Sequence, residues 1–140
     1  MIFGHNSLQS YNTKHVGRAE LMSITILGLG YIGLPTAAMF ASHGTKVQGV
    51  DVNEDICRII NNGKIHIEEP FLAEIIKEQV SQGMITCRQE VSPSDAFIIA
   101  VPTPVTDDKI ADLSHVVSAG QSVAKVLKRG DLVILESTVP

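Results

Sequence analysis

The residues Gly28-Leu29-Gly30-Tyr31-Ile32-Gly33 place glycines at a spacing that, between a strand and a helix, can hold a phosphate group against bare backbone. Gly28 permits a tight turn, Gly30 lets a ligand approach the main chain, and Gly33 lets a helix pack closely on a strand. The N–H groups near Tyr31 and Ile32 would then point at a pyrophosphate, with a helix dipole behind them. About 20 residues further on stands Asp51, where such an arrangement puts an acid on the adenosine ribose. The residues after it, Val52, Asn53, Glu54 and Asp55, include no base. A 2′-phosphate would meet carboxylates there, so NAD is favoured over NADP. Two other readings stay open on these residues alone. The glycines could simply turn the chain while Asp51 caps a helix, or the ligand could be S-adenosylmethionine.

The glycine run acquires meaning from its neighbours. Ser23–Leu27 is a short β-branched apolar run, which predicts a buried strand directly before Gly28. Tyr31 to His43 carries helical spacing, with Pro35 in the first turn and Gly44 as the stop. Lys46–Asp51 predicts a second strand and Glu54–Asn61 a second helix. After the KIHIEEP loop, Phe71 to Ser81 predicts a helix and Met84–Cys87 a short strand. Ala96–Val101 predicts an apolar strand, Leu113 to Leu127 a helix, and Leu132–Leu135 a last strand. Alternating strands and helices imply a doubly wound parallel α/β sheet of Rossmann type, with helices on both faces and strand order 3-2-1-4-5. A sixth strand usually follows, so the fold is expected to be truncated after the fifth, with apolar surface left bare there.

Composition narrows the partners. The 140 residues suit one domain, and the formal charge of −4 argues against nucleic acid or an anionic membrane. No apolar run approaches the ~20 residues of a membrane helix. Residues 1–21 show no periodicity and no secretory pattern, and are expected to be a disordered extension before a domain at 22–140. The two cysteines, Cys57 and Cys87, lack any ligand or disulfide-framework spacing, which predicts reduced thiols in a cytoplasmic protein.

Four blocks in order, GLGYIGLPTA, IHIEEP (Ile65–Pro70), VPTP (Val101–Pro104) and LKRGDLVILEST running into ESTVP (Glu136–Pro140), resemble the UDP-glucose/GDP-mannose dehydrogenase family. Within it they look most like the branch acting on UDP-N-acetylmannosamine. The resemblance covers Met22 to Pro140 and implies the NAD-binding domain, with central and C-terminal UDP-sugar domains absent. It implies oxidation of a UDP-sugar to its uronic acid with two NAD and a cysteine nucleophile, in polysaccharide precursor synthesis, by a cytoplasmic homo-oligomer. Residue by residue, Gly28, Gly30, Tyr31, Ile32 and Gly33 would hold the pyrophosphate and Asp51 the ribose. Thr103 would meet the cofactor and Thr138 would lie near the nicotinamide. Cys57 and Cys87 match no catalytic position, so no catalytic residue is expected here. The chain alone should bind NAD weakly and catalyse nothing. A regulatory dinucleotide-binding module, or another NAD-dependent dehydrogenase such as UDP-glucose 6-dehydrogenase, is the competing reading.

His66, Glu68 and Glu69 alternate in the KIHIEE loop but lack a third metal ligand. Asp107, Asp108 and Asp112 lack the glycine and glutamate of a calcium loop. Neither group predicts a metal site.

Overall fold

The computed structural model describes residues 22–137. The expected extension at 1–21 and Thr138 lie outside the described residues. Strand β1 (Ser23–Leu27) is β-branched at three of five positions and takes the centre of a parallel sheet, flanked by β2 (Lys46–Val50) and β4 (Ala96–Ile99). Beyond these lie β3 (Ile85–Arg88) and β5 (Leu132–Leu135), giving the order β3-β2-β1-β4-β5. The helices are α1 (Gly33–Ser42), α2 (Glu54–Asn61), α3 (Leu72–Ser81) and α4 (Ser114–Ala124).

Side-chain alternation along the strands divides the core in two. Ile24, Ile26, Ala96 and Ile98 face one way and join residues of α1, α2 and α3. Leu27, Phe97 and Ile99 face the other way and pack on Ala119 and Val123 of α4. Each fully buried large side chain contributes about 1.5–3 kcal/mol; Phe97, Ile26 and Leu34 are all 0% exposed. The two faces are unequally covered because β3 and β4 are joined by a loop through Pro93 rather than by a helix. All four residues of β5 are exposed, each by at least 41%. The apolar surface expected at that edge is present.

Several boundaries differ from the sequence expectation, those of α3, β3 and β4 by one or two residues. Helix α1 starts at Gly33, because Gly30–Ile32 are spent on the turn that lifts the chain off β1. Strand β2 stops at Val50, which releases Asp51 to fold its carboxylate back over the strand end. Helix α4 ends at Ala124 rather than continuing to Leu127.

The cysteines require a correction. Cys57 of α2 and Cys87 of β3, expected as separate thiols, are joined in a disulfide. Their sequence separation of 30 conceals that α2 packs on β3, which brings their Cα atoms to 4.9 Å. In the loop-closure model a ring of this size contributes about 3–4 kcal/mol. The side-chain amide of Asn61 reinforces the same junction, donating to the Cys87 carbonyl at 2.9 Å and accepting from its N–H at 2.8 Å. It thereby satisfies backbone groups on the edge strand.

Two polar devices fix the centre of the sheet. Thr25, fully buried, shares a 2.6 Å hydrogen bond with the buried Ser94 hydroxyl. Thr25→Val should cost about 1–3 kcal/mol by orphaning Ser94. Adding Ser94→Ala should restore part of that in urea denaturation; simple additivity would refute the coupling. At the strand entrance, Asp95 Oδ2 accepts from the Ser23 N–H at 2.7 Å and the Ser23 hydroxyl at 2.9 Å. These bonds hold the Asp95 carboxyl below its ordinary 3.8, the backbone bond first. A lowered folded pKa stabilises above the unfolded value and is lost as pH falls through the folded one. Stability of Asp95→Asn should therefore fall less steeply than that of the parent below pH ~4; matching acid limbs in stepped-pH denaturation would refute the assignment.

Candidate functional site

The carboxyl ends of β1, β2 and β4 open onto one cleft of about 440 Å³, within the range of small-ligand sites. Its floor is the glycine loop. Gly28 adopts φ +88°, and a Cβ there would stand 2.7 Å from the Ala100 carbonyl oxygen. A Cβ on Gly33 would overlap the carbonyl oxygen of Gly28. Only glycine at both positions lets β1 turn into α1 this tightly. Gly30 differs, because a Cβ there would meet nothing within 4 Å. The space above it is open toward the cleft.

The loop is tied down on both sides. The Gly28 N–H donates to the Val50 carbonyl at 2.8 Å, and the Ala100 N–H donates to the Leu27 carbonyl at 2.8 Å. Leu29 is 1% exposed and fills the space left by Gly49, where a Cβ would come within 2.6 Å of the leucine methyl.

Asp51 is held at both oxygens. Oδ2 accepts from the Leu29 N–H at 3.1 Å and Oδ1 from the Asn53 N–H at 3.0 Å. The acid is thus fixed to the glycine loop itself, with acceptor capacity left for hydroxyl donors in the cleft. The neighbouring helix starts contrast sharply. Helix α2 is capped by the Asn53 side chain, which accepts from the Asp55 N–H at 2.9 Å, and carries Glu54 and Asp55 in its first turn. Helix α1 has no side-chain cap and no acid in its first turn. Its positive end is left for an anion.

The structure places Gly28, Gly30, Tyr31, Ile32, Asp51 and Thr103 on the lining of this cleft. Gly33 lies beneath, supporting the turn. Sequence reasoning missed several others. Gln89, following β3, lines the cleft and donates to the Val52 carbonyl at 3.0 Å, closing the wall beside Asp51. His115, Ser118 and Ser122 line it from α4. Their i, i+3, i+7 spacing is a polar stripe that periodicity could have revealed. Glu136 and Ser137 close the far end, the serine hydroxyl donating to the Val101 carbonyl at 2.8 Å. Among the described residues no group of three or more His, Cys, Asp or Glu could hold a metal, and no helix is long and apolar enough to cross a membrane.

A parallel sheet, a glycine turn at the central strand, an uncapped helix start and an anchored acid on the next strand define a dinucleotide-binding domain. The chain belongs to the UDP-glucose/GDP-mannose dehydrogenase family, whose NAD binding domain it matches over residues 22–140. It is 51% identical over 121 residues to an NDP-N-acetyl-D-galactosaminuronic acid dehydrogenase of Ralstonia nicotianae, covering 86% of this chain and 29% of that protein. It is 53% identical over 118 residues to a UDP-N-acetyl-D-mannosamine dehydrogenase of Yersinia pestis, covering 84% of this chain and 28% of that protein. Among solved structures, the UDP-N-acetyl-mannosamine dehydrogenase of Staphylococcus aureus superposes with TM-score 0.81 at 47% identity, over 84% of this chain and 29% of that one. The chain therefore spans under a third of the length of these relatives.

The glycines predict separable effects. Gly33→Ala should cost about 1–3 kcal/mol of stability through overpacking. Gly30→Ala should leave stability within about 0.5 kcal/mol yet weaken NAD at least tenfold. Thermal melts paired with NAD calorimetry check both; equal stability losses would overturn this division of labour.

Proposed function

We propose that this chain is the cofactor domain of an NAD-dependent nucleotide-sugar dehydrogenase. The observation that carries the reading is the paired anchoring of Asp51, bound to the glycine loop through Leu29 and facing the uncapped start of α1. The residues present fit a dinucleotide. Backbone N–H groups of Gly30, Tyr31 and Ile32 receive the pyrophosphate in the open space above Gly30. Asp51 accepts hydrogen bonds from the adenosine ribose hydroxyls. Glu54 and Asp55, at the start of α2, repel a 2′-phosphate and select NAD over NADP. Thr103 borders the nicotinamide end, the role that the family resemblance also gives to Thr138. When bound, NAD supplies the hydride acceptor; this chain's residues orient it and shield one side from water.

The substrate is a UDP-linked sugar, UDP-N-acetylmannosamine first, oxidised at its primary alcohol to the uronic acid. Support comes from the names and identities of the relatives. The setting is bacterial surface-polysaccharide precursor synthesis in the cytoplasm, by a homo-oligomer acting on neither nucleic acid nor membrane. Residues 22–140 form the cofactor domain, and the catalytic residues lie in other parts of the protein.

Asp51→Asn in the full-length protein should weaken NAD about tenfold or more, the value of a hydrogen bond to a charged acceptor, and narrow the preference over NADP. Titration calorimetry with both cofactors measures this. An unchanged NAD affinity would refute the role of Asp51. Failure of the full-length protein to form NADH with UDP-N-acetylmannosamine, alongside turnover of UDP-glucose, would transfer the substrate assignment to the latter.

A further inference from the structure

We infer that Cys57 and Cys87 form a reversible thiol–disulfide modification site coupled to the ribose end of the cofactor cleft. The inference rests on the proposed cofactor role of Asp51 and adds regulation to it.

The coupling is visible in the contacts around Asp51. The Cys57 sulfur lies 3.7 Å from the Asp51 carbonyl oxygen. On the other side, the Asp51 N–H donates at 3.1 Å to the carbonyl of Arg88, the residue after Cys87. The peptide groups flanking Asp51 thus touch one cysteine and the immediate neighbour of the other. Cys57 also begins the second turn of α2, its N–H donating to the carbonyl of Asn53, the residue that helps aim the Asp51 carboxylate. Joining the sulfurs fixes α2 to β3 and holds this turn in one arrangement. Separating them leaves the junction to the Asn61 amide alone among directional contacts between the two elements.

The pair is buried, at 6% and 5% exposure, so exchange requires the short helix α2 to lift from the edge strand β3. In a reducing compartment such a disulfide is a transient, condition-dependent state rather than a permanent staple. Its partner is a low-molecular-weight disulfide such as oxidised glutathione. One protein thiolate attacks the external disulfide, forming a mixed disulfide and expelling one external thiolate. The second protein thiolate attacks the protein sulfur of that intermediate and expels the other. Two protein thiols are oxidised, one external disulfide is reduced to two thiols, and the two protons pass to them.

Binding and bond formation must then assist each other equally. The full-length protein, equilibrated in oxidised or reduced glutathione, should carry the Cys57–Cys87 linked peptide only in the first, by mass spectrometry. The oxidised form should bind NAD about fivefold or more tightly, and saturating NAD should shift the equilibrium constant for forming the disulfide from oxidised glutathione by the same factor. Cys57→Ser/Cys87→Ser should bind like the reduced form whatever the glutathione poise. Where that variant fails to fold, the two wild-type forms still decide the matter. Equal affinities together with an NAD-independent thiol–disulfide equilibrium would overturn the coupling while leaving the cofactor reading intact. Absence of the linked peptide under oxidation would overturn the site itself, and absence of NAD binding to either form would overturn the reading beneath it.

Discussion

A side chain at position 33 and the carbonyl oxygen of Gly28 cannot occupy the same space, and the rest of the site follows from that exclusion. With glycine at 33, α1 begins directly above the end of β1 instead of swinging away from it. Pro35 carries no N–H and those of Leu34 and Thr36 go to the carbonyls of Gly30 and Ile32, so Gly30, Tyr31 and Ile32, ahead of the helix, are what line the cleft. The turn is held from both neighbours, through the bond from Gly28 to Val50 of β2 and the bond from Ala100 to Leu27. Gly49 admits the Leu29 side chain beneath the loop. A flexible residue type has therefore been used to build a rigid object, because packing removes the freedom that glycine would otherwise retain.

Rigidity matters because the chain carries net negative charge and yet presents a site for an anion. The attraction comes from fixed backbone dipoles, which act over about one helical turn and are little affected by distant carboxylates. Acid placement follows the same logic. Glu54 and Asp55 neutralise the start of α2, whereas the start of α1 has no such neutralisation. Asp51 stands between the two helix starts, drawn to the N–H groups of Leu29 and Asn53. One carboxylate thereby ties the glycine loop to the adjacent strand end, so the two move as a single rigid unit.

Much of this was legible in the sequence where a signal was local. β1, α2 and β5 begin and end where the sequence pattern places them, and the structure adds the Asn53 cap of α2. The glycine spacing and Asp51 carried the site because the strand before them and the helix after them were also readable. What escaped depends on pairing between distant segments. Cys57 and Cys87 meet only because β3 lies beside β2 and α2 covers that junction. Gln89 reaches Val52 for the same reason. Gly49 looks like an ordinary weak point in a strand until Leu29 is seen to need its space. The direct connection from β3 to β4 was legible as well, since Gln89–Asp95 is too short for a covering helix and carries no helical spacing.

Relatives named for different sugars match this domain about equally. Proteins named for N-acetylgalactosaminuronic acid and for N-acetylmannosamine chemistry match this chain at 51% and 53% identity, nearly the same value. A domain that chose between those sugars would be expected to separate them more. The cleft walls explain the indifference. Asp51 and the glycine loop lie at the ends of β2 and β1, away from the open end of the cleft. The residues nearest the open end, Thr103, Glu136 and Ser137, sit where β4 and β5 emerge. Beside them β5 exposes its apolar side chains. The described residues therefore shape one cleft whose far end opens beside that exposed apolar edge.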